Sequence, residues 1–170
     1  MNNYSPMQKF LHRLALSSML IRETMFDIEQ KIFVKDIDVG KHIFITGLAR
    51  SGTTILLNSL HSSNEFASLS YDDMPFILAP NFWTKITPFK THDKNMERAH
   101  NDGIIVSTDS PEAFEEVFWM TFNDYEDSTI IKFEKYIKSV LYKNNLSRYL
   151  SKNNQNIRRL KLISNSFPDS

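Results

Sequence analysis

The 170 residues are 41% hydrophobic and 12% aromatic, enough for one domain with a real core. Twenty basic and twenty acidic side chains cancel, which excludes a global field drawing the chain to nucleic acid or an anionic membrane and leaves any anion to be bound locally. The absence of cysteine excludes disulfides, thiolate zinc sites and a cysteine nucleophile.

Between about Ser5 and Phe33, positions Leu11, Leu14, Ser18, Ile21, Met25, Ile28 and Ile32 recur at steps of three and four and predict an outer helix packed on the domain. A dimerising or membrane-surface helix is the alternative. Lys9, His12, Arg13, Arg22 and Glu23 interrupt the apolar stretches, so neither a signal segment nor a span of ~20 apolar residues can be drawn, and the cytoplasm is the expected location. A polar link, Lys35 to Gly40, closes this region, so residues 1–40 are read as an N-terminal helix and link and 41–170 as the main domain.

His42 to Thr46 is nearly continuous in apolar and β-branched residues, as a buried parallel strand would be. It enters a turn bounded by Gly47 and Gly52 and leaves as a helix from Ser51 to about His61. The two glycines stand at the spacing of the G-x-x-x-x-G-K-[ST] phosphate loop, in which backbone N–H groups curl around an anion at a helix N-terminus. Thr53 fills the slot that holds lysine in nucleotide triphosphatases, and Arg50 is the loop's only cation. The loop is therefore expected to hold a phosphate-like group other than the β/γ-phosphates of ATP.

Phe66 to Leu69 reads as a second strand, and Pro75, Pro80 and Pro88 divide the next stretch into a turn, a short helical segment with Phe76, Ile77, Phe82 and Trp83, and a loop. This aromatic stretch suits either a wall of a substrate cleft or a loop packed on the core. Thr91 to Asn101 is polar, and Gly103 to Val106 reads as a short strand. Ser110-Pro111 opens a helix running through Phe114, Val117, Phe118 and Met120, with Ser110 as N-cap. Glu112, Glu115 and Glu116 read as its N-terminus and solvated flank, with a place facing the cleft as the alternative. Asn123 to Ser128 is an acidic turn, Ile131 to about Lys143 an amphipathic helix, Arg148 to Ser151 a strand, and Ile157 to Ser166 the last helix. Arg158, Arg159 and Lys161 read as a solvated basic face, too small for a nucleic-acid footprint. Strands alternating with helices predict an α/β domain with a mainly parallel sheet.

The stretch Gly47-Leu48-Ala49-Arg50-Ser51-Gly52-Thr53-Thr54 resembles the 5′-phosphosulfate loop of sulfotransferases that use 3′-phosphoadenosine 5′-phosphosulfate, and its Arg-Ser-Gly-Thr-Thr core is the specific part. Ser68 to Phe76, Ser110 to Trp119, Tyr149 to Asn156 and Phe167 to Asp169 are similar to a bacterial branch of that family, so the resemblance runs from about Lys41 to the last residue. It implies a P-loop NTPase-like three-layer α/β fold and transfer of a sulfuryl group from that donor to a hydroxyl or amine acceptor. A nucleotide kinase with an aberrant loop and a non-catalytic nucleotide-binding protein are the competing readings.

The resemblance also assigns roles. Arg50, Ser51, Gly52, Thr53 and Thr54 are expected to bind the donor's 5′-phosphate, with a surface ion pair as the alternative for Arg50. Lys152 corresponds to the lysine that neutralises charge on the bridging oxygen, and its place at a strand end is where the sites of open α/β sheets collect, with a solvated surface lysine as the alternative. Related enzymes put a proton acceptor, usually glutamate, after the second strand. Asp73 is favoured here, with Asp72 as alternative and an Asx-turn before Pro75 as the structural reading. Relatives acting on small alcohols and phenols use histidine, which keeps His92 and His100 in play. No metal is expected, since a sulfuryl group carries less negative charge than a phosphoryl group and the five histidines are scattered. Phe167 to Ser170 has the character of a turn into a further parallel strand, so the C-terminal part of the fold, with the arginine and serine that hold the 3′-phosphate, is expected beyond Ser170.

Overall fold

The computed structural model describes residues 18–34, 37–48, 50–74, 76–86, 96–97, 105–106, 114–122 and 127–170. The described elements are α1 (Met19–Ile32), β1 (Ile43–Ile45), α2 (Thr53–His61), a 3-10 turn (Tyr71–Asp73), α3 (Pro80–Ile86), β2 (Met96–Glu97), β3 (Ile105–Val106), α4 (Glu116–Thr121), α5 (Asp127–Asn144), β4 (Leu150–Lys152), a second 3-10 turn (Asn154–Arg158) and α6 (Leu160–Ser166). Beginnings and ends differ from those expected from the sequence. The last helix opens with a 3-10 turn and α5 begins at Asp127, inside the stretch expected as an acidic turn. Met96–Glu97 pairs antiparallel with Ile105–Val106, which puts a strand where only polar chain was expected. The first part of the N-terminal helix, the cap Ser110-Pro111, and Glu112, His92 and His100 lie outside the described residues.

β1 and β4 pair in parallel, Ile43 opposite Leu150 and Ile45 opposite Lys152. On the other edge of β4, a parallel bridge joins Ala67 to Tyr149, with Ala67 N–H donating to Arg148 O at 2.7 Å and Leu150 N–H to Ala67 O at 2.9 Å. β4 therefore lies between β1 and the 66–69 segment. Side chains alternate across the pleat. Ile45, Phe66 and Leu150 pack with Leu57 of α2 on one face, while Phe44, Ala67 and Tyr149 belong to the core on the other.

That second core is mainly aromatic. Phe118 of α4 meets the rings of Phe26, Trp119, Phe122, Phe133 and Tyr136 at 4.9–6.1 Å between centroids, within the range where edge-to-face and offset stacking add to burial. α1 packs there against α3, α4 and α5. The face it buries is centred on Phe26 and Glu29, while Ile32 and Leu20 are exposed. This is one residue, or about 100° of helix rotation, from the apolar stripe through Ile21, Met25, Ile28 and Ile32. Two contacts hold that rotation: Phe26 packs on the rings of Phe118 and Phe122, and buried Glu29 accepts hydrogen bonds from Asn81 N–H (3.1 Å), Asn81 Nδ2 (2.6 Å) and Phe82 N–H (3.0 Å). A carboxylate on α1 thus satisfies the first N–H groups of α3. Burial raises the Glu29 carboxyl above its usual 4.5, against the lowering effect of these donors.

His42, just before β1, is enclosed by the rings of Phe44, Tyr149 and Phe167 at 5.6–6.2 Å. Its Nδ1 accepts the Tyr149 N–H at 3.1 Å. Burial pulls its pKa from 6.5 down to about 4, and the accepted bond requires an unprotonated Nδ1. Neutral His42 therefore extends the β1–β4 pairing by one side-chain bond.

Candidate active site

The loop between β1 and α2 turns on two left-handed residues, Gly52 (φ 81°) and Arg50 (φ 64°). Gly52 is the N-cap residue of α2. A left-handed arginine is strained by roughly 1–2 kcal/mol, a kind of strain that collects at ligand sites. The curve is held by Ser51, whose N–H (3.3 Å) and hydroxyl (2.7 Å) both donate to Leu48 O. A Cβ on Gly47 would stand 2.9 Å from Ser51 Oγ and 3.1 Å from Thr53 Cγ2, so only glycine lets the loop close this tightly. Arg50, Ser51 and Gly52 are exposed, and Thr53 and Thr54 are half-buried in the first turn of α2. Gly52 and the first turn of α2 bring backbone N–H groups to the positive end of that helix, which suits an anion.

Lys152 ends β4 directly opposite Ile45, the last residue of β1 before Thr46 and Gly47. The two loops are tied together, with Asn153 N–H donating to Ile45 O at 2.9 Å and Thr46 Oγ1 to Asn154 O at 3.4 Å. Strand alternation puts Lys152 on the face of Leu150, the face that α2 covers. Lys152 and the glycine-bounded loop, more than a hundred residues apart in sequence, thus share the C-terminal end of one parallel pair.

Asp73 sits elsewhere in its turn than a free base would. It is 1% exposed. Its Oδ2 accepts from Ser70 N–H (2.9 Å) and Ser70 Oγ (3.4 Å), and its Oδ1 pairs with Lys143 of α5. This is a reciprocal capping box on the 3-10 turn, with an ion pair fastening that turn to α5. To take a proton from a bound molecule, Asp73 must first part from Lys143. Asp72 is half-buried, and its carbonyl oxygen accepts the Trp83 indole N–H at 3.0 Å. Trp83 lies 5.1 Å from the ring of Phe76.

A polar cluster whose charged members look in sequence like solvated surface is built into the core under the turn that follows Lys152. Glu115, 2% exposed, accepts from Trp119 Nε1 (2.9 Å), Asn156 Nδ2 (2.8 Å) and Tyr149 OH (3.2 Å). Glu116 accepts both guanidinium nitrogens of Arg159, at 2.9 and 3.0 Å, and Asn153 Nδ2 at 2.6 Å. Arg159 is 5% exposed and stacks over Trp119 at 4.9 Å, so the expected solvated basic face does not include it. The Glu115–Trp119 spacing of four was the one local signal for this cluster; its other partners lie about forty residues downstream.

Among the described residues no group of three or more histidine, aspartate or glutamate side chains can hold a metal, and no helix is long and apolar enough to cross a membrane. The family model described as "Sulfotransferase family" matches residues 42–170, from the residue before β1 to the last residue. No curated protein and no solved structure matches the chain.

Proposed function

The chain belongs to the sulfotransferase family, and from that premise we propose that it moves a sulfuryl group from 3′-phosphoadenosine 5′-phosphosulfate to a hydroxyl or amine acceptor. The observation that carries the reading is the meeting of the phosphate-type loop and Lys152 at one end of the β1–β4 pair, with Ile45 opposite Lys152. A P-loop NTPase-like three-layer arrangement is part of the same reading, supported by parallel strands with α2 on one face and α1, α4 and α5 on the other. A cytoplasmic setting goes with it, supported by the charges that interrupt the first apolar stretch.

The residues present fit the donor's 5′-phosphate. Arg50, the N–H groups of 52–54 and the hydroxyls of Thr53 and Thr54 supply charge-assisted and neutral donors around the curve that Gly47 and Gly52 permit, and Ser51 joins them once its N–H and hydroxyl leave Leu48 O. When bound, the donor supplies an activated sulfuryl group whose departure leaves negative charge on a bridging oxygen. The Lys152 ammonium neutralises charge of that kind, an effect worth most when the group is already aimed before the reaction. Asp73 takes the acceptor's proton in this reading, after Lys143 has withdrawn.

Calorimetric titration with 3′-phosphoadenosine 5′-phosphate and with ATP tests the proposal. Tighter binding of the former is expected. Preference for ATP would favour a kinase, and failure to bind either would remove the loop from nucleotide recognition.

A further inference from the structure

We infer that Glu116 is a positioning residue for Lys152, acting through Asn153; the inference rests on the role proposed above for Lys152. Asn153 is 4% exposed and every polar group it carries is engaged. Its N–H donates to Ile45 O (2.9 Å), its C=O accepts Asn156 N–H (3.0 Å), its Oδ1 accepts Gln155 N–H (2.9 Å), and its Nδ2 donates to Glu116 Oε2 (2.6 Å). The first three bonds lie within the sheet and its own turn. Only the fourth ties the residue to another layer.

Glu116 is in turn held by the two-pronged pair with Arg159, a geometry that fixes direction as well as distance. Its neighbour Glu115 grips the far end of the same turn through Asn156. Two consecutive carboxylates at the start of α4 therefore clamp both ends of the turn after Lys152. Because side chains alternate, Asn153 points to the α4 face and Lys152 to the α2 face. Fixing the Asn153 amide plane and side chain sets the direction in which Lys152 leaves the strand. A lysine carries four rotatable bonds, and a reacting group misplaced by an ångström loses much of its effect, so a rigid base for its Cα is what the chemistry needs.

A cluster that only glues α4 to the sheet would move stability and nothing else, so the test reads Lys152 itself. In ligand-free protein carrying 13C-dimethylated lysines, with the Lys152 signal assigned through Lys152→Arg, Glu116→Gln is expected to shift methyl relaxation of Lys152 toward that of a free surface lysine. Donor turnover to water gives the second readout, in which the sulfuryl sulfur–bridging oxygen bond breaks, a sulfur–oxygen bond to water forms and a proton is released. Glu116→Gln is expected to lower kcat about ten- to a hundredfold, as loss of a supporting shell does elsewhere, with KM little changed. In a Lys152→Ala background the same substitution should lower it no further.

If Lys152→Ala turns over the donor as fast as the parent, the reading of Lys152 fails and the inference falls with it. If Lys152→Ala is slow, but Glu116→Gln costs the same factor in both backgrounds or leaves Lys152 relaxation unchanged, the inference alone is overturned. Should Glu116→Gln not fold, Asn153→Ser cuts the same link from the other side and is judged by the same outcomes.

Discussion

Lowering the pH from 7 to 4 should destabilise this protein through one buried histidine. His42 titrates at about 4 in the folded chain against 6.5 for an ordinary histidine, because burial disfavours the imidazolium. Between those two values the unfolded chain binds a proton that the folded chain does not, so stability falls as pH falls through the window. The loss is complete below about 4. A difference of about 2.5 units at 1.36 kcal/mol per unit makes the full effect roughly 3 kcal/mol. The rings around His42 belong to Phe44, Tyr149 and Phe167, and protonation would also replace the Tyr149 N–H···Nδ1 bond with two facing donors. The comparison protein is His42→Asn, whose Oδ1 offers an acceptor near the place of Nδ1 without titrating. Urea unfolding of both proteins at half-unit steps from pH 8 to 4.5 isolates the term, since contributions shared by the pair cancel in the difference. The parent's stability relative to the variant should begin to fall near pH 6.5 and decline steadily to the end of the range. A flat difference, or a His42 ring signal titrating near 6.5 in the folded protein, would falsify the reasoning.

Burial raises Glu29, so its contribution has the opposite sign: stability supplied by this group falls as pH rises from 4.5 through the folded value. Glu29→Ala leaves three donors at the start of α3 without their acceptor and should destabilise by about 1–3 kcal/mol, with a loss smaller at pH 8 than at pH 5 in urea melts. Arg50→Ala should weaken binding of 3′-phosphoadenosine 5′-phosphate by roughly 1.5–3 kcal/mol in a calorimetric titration, and unchanged affinity would remove Arg50 from the site. Asp73→Asn should lower thermal stability by about 1–3 kcal/mol through loss of the Lys143 pair and should also slow donor turnover; a folded variant with the parent's kcat takes Asp73 out of the chemistry.

Features carried by residues adjacent in the chain were legible from letters alone. The strand before Gly47, the turn between two glycines at fixed spacing and the helix after Gly52 depend on local backbone preferences, and β1, the left-handed Gly52 and α2 appear where those preferences put them. Lys152 at a strand end was legible as a position, and its register opposite Ile45 comes from pairing that no local pattern encodes. The acidic and basic side chains were the least legible. Glu29, Glu115, Glu116 and Arg159 look in sequence like solvated helix surface, because a carboxylate on a helix reads the same whether its partner is water or a donor forty residues away.

By itself, then, the sequence determined an α/β chain with a phosphate-type loop lacking its lysine, and a family resemblance from about Lys41 to the last residue, which the family model bears out over residues 42–170. Tertiary structure alone decided which charges became interior. It turned α1 so that Glu29 caps α3, engaged Asp73 with Lys143, and set Glu115 and Glu116 under the turn beside Lys152. The physical reason is that desolvating a charge is unfavourable unless donors meet it in the folded chain, and the donors that meet these charges come from segments brought together only by packing.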